Sequence, residues 1–321
     1  MAQASDEQLK QEGVQEDHPR EYGLRHTVAQ VRKDTSARIG MYVIFLITAV
    51  AVFTTVDYYV LDYAVAERFL YHPERDPVQA ERLLPPIGME STYGPGTTEH
   101  PLGTDHRGRD ILTRLIYGTR IAITAGFAAT AIGLVGGTLI GAVSGYYGGR
   151  VDDVLQRLTE ALYAIPFLVL VIAFMTAFGR EITYAMIGVG LISIPVFNRL
   201  IRSRVVSVRE EEYIDAAKVA GARDYQIIRD HVIPNSFAPV LVQATLQIGV
   251  SILIIAGLSF LGFGAQQPTP SWGQMLAQSR DFMLPAPMYS FWPGIAILTT
   301  VVAFNLLGDG LQDALDPRIK N

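Results

Sequence analysis

The 321-residue sequence has no cysteine. Disulfides, thiolate metal sites and cysteine nucleophiles are excluded, and the redox compartment cannot be read from it. Lysine is nearly as scarce: Lys10, Lys33, Lys218 and Lys320 stand alone among 26 lysines and arginines. None follows a glycine, so the Gly-Lys-Ser/Thr end of a phosphate-cradling loop is missing and this chain cannot hold ATP in that way. The His-Glu-x-x-His spacing of a zinc protease is also missing. Charged residues make up only 18% and the net charge is −5, which gives no support to nucleic-acid binding. Arginine in place of lysine, with acid concentrated at 6–21, fits a salt-adapted cytoplasm and fits a GC-rich genome equally well.

What abounds is apolar. Hydrophobic residues make up 50%, more than a soluble domain of this length needs. Six stretches, 39–60, 121–146, 162–178, 182–201, 240–263 and 291–307, have or nearly have the length of about 20 residues that crosses a bilayer core. Lipid offers no hydrogen-bond partners, so these stretches are expected to be helices, and the ten-residue alternation of a membrane barrel is lacking. The expected fold is an all-α membrane protein with six transmembrane helices. No cleavable signal is read in the first 38 residues, so the first span is expected to be retained.

Six basic residues precede the first span and seven lie between Arg199 and Arg229, whereas the short loops of the other side carry only Arg180 and Arg280. This asymmetry places both termini in the cytoplasm. The chain then divides into a polar cytoplasmic tail (1–38), a first transmembrane helix (39–60), a long external segment (61–120), a five-helix core (121–307) with a cytoplasmic loop at 202–239, and a cytoplasmic tail (308–321). Asp57 with Tyr58, Tyr59 and Tyr63 reads as an interfacial belt at the outer end of the first span.

Within the second span, Gly133, Gly137, Gly141 and Gly145 repeat every fourth residue, so they share one helix face where a neighbouring backbone can approach closely. Chance enrichment of glycine in a membrane helix is the alternative. Asn198, Gln243, Gln247 and Asn305 are polar residues in or near spans, candidates for a transport pathway or for interhelical hydrogen bonds.

The cytoplasmic loop carries a distinctive stretch. Tyr213 to Ala220 favours a short helix, Gly221 can take the left-handed conformation that ends it, and Asp224 is placed to cap the next. That second helix is expected from Tyr225 to Val232, stopping at Pro234. Its Tyr225, Ile228 and Val232 share a face that needs a partner, either another protein or the bilayer surface.

The order Asp215, Ala216, Ala217, then Gly221, then His231, Ile233 and Pro234 resembles the EAA loop of binding-protein-dependent ABC importer permeases. In that family the loop reads Glu-Ala-Ala, three residues, glycine, nine residues, then an apolar pair and proline; here Asp215 replaces glutamate, His231 stands at the first apolar position and Ile233 replaces leucine. Further blocks are similar to the C-type subunit of the dipeptide, oligopeptide and nickel permeases. They include His100 to Asp105 with Gly108, Arg109 and Asp110; Gly148 to Asp152 with Ile165 and Pro166; Gly257 to Gly264 with Trp272 and Gly273; and Asn305 to Leu311 with Asp316, Pro317 and Arg318.

The resemblance implies a type I ABC importer permease fold and a plasma-membrane subunit of a prokaryotic importer, most often for di- or oligopeptides. Nickel chelates and oligosaccharides are alternative substrates within the same family. The implied partners are a second homologous permease, two cytoplasmic ATPase subunits that use the ATP, and an external substrate-binding protein. No catalytic residue, cofactor or metal is implied for this chain. ATPase coupling would fall on Tyr213, Asp215, Ala216, Ala217, Gly221, Ala222, Asp224, His231 and Pro234. His100, His106, Asp105 and Asp110 lie in a segment common to the whole family, so a structural role is expected there rather than a metal site. A secondary transporter would show ionisable residues at mid-membrane, which these spans lack. A membrane scaffold would leave the glycine-cornered loop unexplained.

Overall fold

A computed structural model describes residues 31, 33–77 and 81–315. The acidic stretch at 6–21, most of the 1–38 tail, and Asp316, Pro317 and Arg318 lie outside the described residues. Eleven α-helices lie among those described. They are α1 (Thr35–Tyr59), α2 (Ala64–Phe69), α3 (Ile111–Tyr147), α4 (Gly149–Ala164), α5 (Phe167–Phe178), α6 (Ile182–Arg209), α7 (Glu212–Val219), α8 (Asp224–Ile227), α9 (Ile233–Phe260), α10 (Trp272–Ser279) and α11 (Pro287–Leu315). Two-residue strands β1 (Glu90–Ser91) and β2 (Gly94–Pro95) pair in the segment between α2 and α3. Five helices are long and apolar enough to cross a membrane, or six if the bent pair α4–α5 is counted as one span.

Local chemistry sets several boundaries. Asp34 caps α1 by accepting from the Ser36 N–H at 2.8 Å, and Asp110 caps α3 by accepting from the Thr113 N–H at 2.7 Å. The Asp110 cap starts α3 ten residues before the expected 121, so the helix has 37 residues and a length of about 55 Å. It ends at Gly148, whose φ of +65° suits glycine.

The expected third span, 162–178, is not one helix. Pro166 forces Ile165 into extended backbone (φ −79°, ψ 127°), and the chain turns by 89° between α4 and α5. α5 alone has 12 residues, about 18 Å, too short for a bilayer core.

The glycine face of α3 is covered along its length by α6. A Cβ on Gly133 would stand 2.5 Å from Ser193 Cβ, on Gly137 2.5 Å from Phe197 Cβ, on Gly141 2.7 Å from Asn198 O, and on Gly145 2.9 Å from Val205 Cβ. Those clearances leave no room for a Cβ, so the two backbones approach closely along this face. Gly190 of α6 answers from the other side, where a Cβ would meet Ile132 Cβ at 2.7 Å. α1 lies against α11, where Gly40 faces Ala303 O and Gly310 faces Ala37.

Asp57, read from the sequence as part of an interfacial belt, also has a structural role. It is fully buried and accepts from the N–H groups of Val65 at 3.0 Å and Ala66 at 3.2 Å, and from the Tyr117 hydroxyl, so it ties α1 and α2 to α3.

Candidate functional site

α7 and α8 meet at a corner beyond the end of α6. Glu212 and Asp215 sit in the first turn of α7 and Lys218 in its last, an arrangement that opposes the helix dipole. Lys218 Nζ also reaches Asp215 Oδ1 at 2.9 Å. The helix ends with Ala222 N–H donating to Ala217 O at 3.0 Å and Gly221 N–H donating to Lys218 O at 3.0 Å, the paired bonds of a Schellman end. Gly221 has φ +85°, and nothing lies within 4 Å of where its Cβ would be. Backbone conformation, not space, demands glycine here.

The corner is anchored from within the chain. Ile214, Ile227 and Val232 are fully buried in one cluster with Ala142, Tyr146, Phe197, Ile201 and Val205 of α3 and α6. This corrects the expectation that the face of Tyr225, Ile228 and Val232 lacks a covering of its own: Val232 is buried, Ile228 is half-buried against the same cluster, and only Tyr225 is exposed. Arg209 adds a polar tie, its Nη1 donating to Gly145 O at 3.3 Å and Tyr146 O at 3.2 Å. These carbonyls close α3, so the cation also meets the negative helix end.

Asp224 is not the cap. Arg223 holds that position with its N–H donating to Gln226 Oε1 at 2.9 Å, while the Asp224 carboxylate accepts from the Tyr146 hydroxyl at 2.9 Å. The second short helix does not stop at Pro234 either. One widened turn, Ile228–Val232, leads directly into α9, with the Ile233 N–H donating back to Ile228 O. A proline in a regular helix clashes with the carbonyl four residues earlier, and the five-residue repeat of the wide turn moves that carbonyl aside.

With the apolar side anchored, the remaining residues face outward. Tyr213, Asp215, Ala216, Gly221, Asp224 and Pro234 are exposed, Ala217, Ala222 and His231 half-buried. Val219 is 90% exposed, an apolar side chain set on the tip of the corner and left almost uncovered by the described residues. The rings of Tyr213 and His231 lie 6.4 Å apart and join the start of α7 to the wide turn.

The polar residues of the spans divide. Asn198 is fully buried and bonds Gln156 and Thr159 of α4. Gln247 donates to Ser193 Oγ at 3.1 Å across α9 and α6. Gln243 is half-buried and Asn305 exposed, and neither side chain makes a hydrogen bond among the described residues. Sequence reasoning missed Gln156, Asp152, Tyr146 and Arg209. The four-residue spacing of Asp152 and Gln156, matched by Asn198 and Arg202, was the available signal, but nothing local shows which helices face each other.

In the segment between β2 and α3, Asp105 accepts from the N–H groups of Arg107 at 2.8 Å and Arg109 at 2.9 Å and from Arg109 Nε at 2.7 Å. Asp110 accepts from Thr113 and pairs with His100 Nδ1 at 3.0 Å. Among the described residues no group of three or more His, Asp or Glu could hold a metal ion.

Residues 137–321 match the family described as binding-protein-dependent transport system inner membrane component. The chain is 46% identical over 225 residues to the dipeptide transport system permease protein of Alkalihalophilus pseudofirmus, covering 70% of this chain and 74% of that protein. It is 42% identical over 248 residues to the dipeptide permease of Haemophilus influenzae, covering 76% and 83%. It is also 42% identical over 228 residues to the glutathione transport system permease protein of Pectobacterium atrosepticum, covering 71% and 75%. The fold resembles a chain of the inward-facing methionine ABC transporter MetNI, with a TM-score of 0.52 and 19% identity over 64% of this chain and 98% of that one. The chain is a multi-pass membrane protein of the type I ABC importer fold, and it belongs to the family of binding-protein-dependent transport system permeases, in the branch of dipeptide permease C-type subunits.

Proposed function

We propose that this chain is one permease half of an ATP-driven importer of di- or oligopeptides. Two ATPase subunits bind on the cytoplasmic side, a second related permease completes the pathway, and an external binding protein delivers the peptide. Both termini and the α7–α8 corner lie in the cytoplasm. The observation that carries this reading is the corner itself, whose apolar side is fixed to α3 and α6 through Ile214, Ile227 and Val232 while Tyr213, Asp215, Ala216, Lys218, Val219 and Gly221 stay exposed. A rigidly held, outward-facing element of this kind passes a push from a docked ATPase into the helices beneath it. Ala216 and Ala217 keep the approach close, and the exposed Val219 suits an apolar cleft on the partner. The peptide assignment takes its support from the dipeptide and glutathione permeases that this chain resembles.

The absence of cysteine makes the test simple. Val219→Cys in the assembled importer should form a disulfide with cysteines placed in the ATPase cleft, and ATP should change its yield. Peptide uptake into liposomes should require ATP, both permeases and the binding protein. Uptake without ATP by this chain alone would overturn the reading.

A further inference from the structure

Arg120 is a buried cation without an anion. It is 7% exposed, and no carboxylate among the described residues lies within ion-pair distance of it, whereas the other two buried arginines, Arg109 and Arg114, share Asp105. Glu74 does not fill the gap. Burial first and then Glu74 raise the pKa of the Tyr63 hydroxyl while Arg120 lowers it, yet Glu74 and Arg120 do not pair. Tyr58 of α1 covers one face of the guanidinium, its ring centroid 3.6 Å from Cζ, and the Tyr59 ring lies at 5.7 Å. This cation–π contact favours the charge but accepts none of the N–H bonds. Nε is enclosed and has no acceptor. Nη1 and Nη2 make no hydrogen bond among the described residues either, but unlike Nε they are not closed off, so that end of the fork is open to an acceptor from outside the chain.

The position of Arg120 identifies that acceptor. The apolar run of α3 begins at the next residue, Ile121, and the apolar run of α1 ends at Val60. Arg120, Tyr58 and Tyr59 therefore mark one level, where hydrocarbon gives way to polar surroundings. α1 is also the least enclosed of the five long apolar helices, with 17% of its most apolar stretch buried against 33% to 50% in the others. Val52, Phe53, Val56 and Tyr59 are exposed along it. An apolar face of this extent on a membrane-crossing helix is covered by lipid chains, and it runs up to the level of Arg120.

At the end of its hydrocarbon a phospholipid presents a phosphodiester, and two phosphate oxygens match the paired N–H groups of an arginine fork. We propose that Arg120 is a lipid site, which holds the phosphate of one membrane phospholipid on Nη1 and Nη2 with the acyl chains beside α1. Tyr58 fixes the guanidinium from its face and leaves the Nη end free to bind. The phosphate supplies the anion that the protein lacks there, so the bound lipid stabilises the contact between α1 and α3. This inference needs only that α1 and α3 cross the membrane, and it stands apart from the nature of the transported solute.

The test is native mass spectrometry of the full chain in detergent with dioleoyl phosphatidylglycerol, with dioleoyl glycerol, which has the same chains and no phosphate, or with inorganic phosphate. Saturable retention of one phosphatidylglycerol is expected, about tenfold tighter than dioleoyl glycerol and not displaced by inorganic phosphate. Arg120→Gln should bring phosphatidylglycerol down to the level of dioleoyl glycerol. Arg120→Lys, which keeps the charge without the fork, should fall between. An unchanged unfolding midpoint in lipid-free detergent shows that a variant folds, and if neither does, the two lipids on the unsubstituted chain decide. Equal retention of the two lipids, displacement by inorganic phosphate, or unchanged phosphatidylglycerol retention by Arg120→Gln would each overturn the site. Loss of a co-purifying protein from Arg120→Gln with lipid retention unchanged would also overturn it, and would give the arginine to a subunit contact.

Discussion

The carboxamides of Gln156 and Asn198 face each other between α4 and α6, with Asn198 Nδ2 donating to Gln156 Oε1 at 2.9 Å and Gln156 Nε2 donating to Asn198 Oδ1 at 3.4 Å. One turn along, Arg202 grips Asp152 through bonds of 2.6 and 2.5 Å. Because each pair is four residues from the other on both helices, the contacts form two rungs of one antiparallel ladder. Thr159 is the only buried residue of α4, and Val154, Leu158 and Tyr163 are exposed on it. The position of α4 relative to α6 is therefore held by polar rungs more than by apolar burial.

Gln156→Leu should leave the fully buried Asn198 without its amide partner. A destabilisation of about 1–3 kcal/mol is expected. Adding Asn198→Leu should recover part of it, because neither polar group then remains unpaired. Thermal unfolding of the single and double variants in detergent checks this, and strictly additive losses would show that the two residues do not interact.

Gly221→Val should abolish ATP-dependent uptake while leaving membrane insertion unchanged. The φ of +85° is open to glycine and strained by about 1–2 kcal/mol or more for a β-branched residue. Gly221→Asn, which tolerates the left-handed region better, should retain most uptake. Normal uptake by the valine variant would remove the corner from the coupling route.

Gly137→Val and Gly257→Ala should behave oppositely. The first places a Cβ 2.5 Å from Phe197 Cβ and 2.7 Å from Ile194 O, forcing α3 and α6 apart at a cost of about 1–3 kcal/mol or more. The second meets nothing within 4 Å and replaces a helical glycine, so it should be neutral or stabilising by up to about 1 kcal/mol. Unfolding midpoints of the purified variants decide between these outcomes.

Acid should loosen the segment between α2 and α3 where it packs on α10 and α11. His106 lies between Phe282 and Tyr289, with ring centroids at 5.6 and 6.1 Å, and burial holds its pKa below the ordinary histidine value. A lowered folded pKa means that the unfolded segment takes up the proton more readily. The stability linked to a neutral His106 is present above the ordinary value of about 6.5 and is lost as pH falls from there to the lowered value. Hydrogen exchange around α10 should speed up over that window, and His106→Gln should flatten the dependence.

The sequence by itself determined what depends on neighbours along the chain. Long apolar runs had no option but membrane helices, because backbone groups in lipid must bond within their own segment. Gly221 fixed the corner because its conformation is local, and Gly133 to Gly145 fixed the close face because a four-residue spacing selects one side of a helix. Even the break at Pro166 had a local cause, though the long apolar run from 162 to 178 masked it. The tertiary structure alone decided which faces meet. Ile214, Ile227 and Val232 turn inward because α3 and α6 offer a cluster that no inspection of residues 202–239 reveals. Asp57 became a buried tie because α2 and Tyr117 fold back onto it. Pro234 continues a helix because a widened turn takes up its clash. Pairing Gln156 with Asn198 and Asp152 with Arg202 required α4 and α6, separated in sequence by α5, to lie antiparallel, which no residue's local neighbours specify.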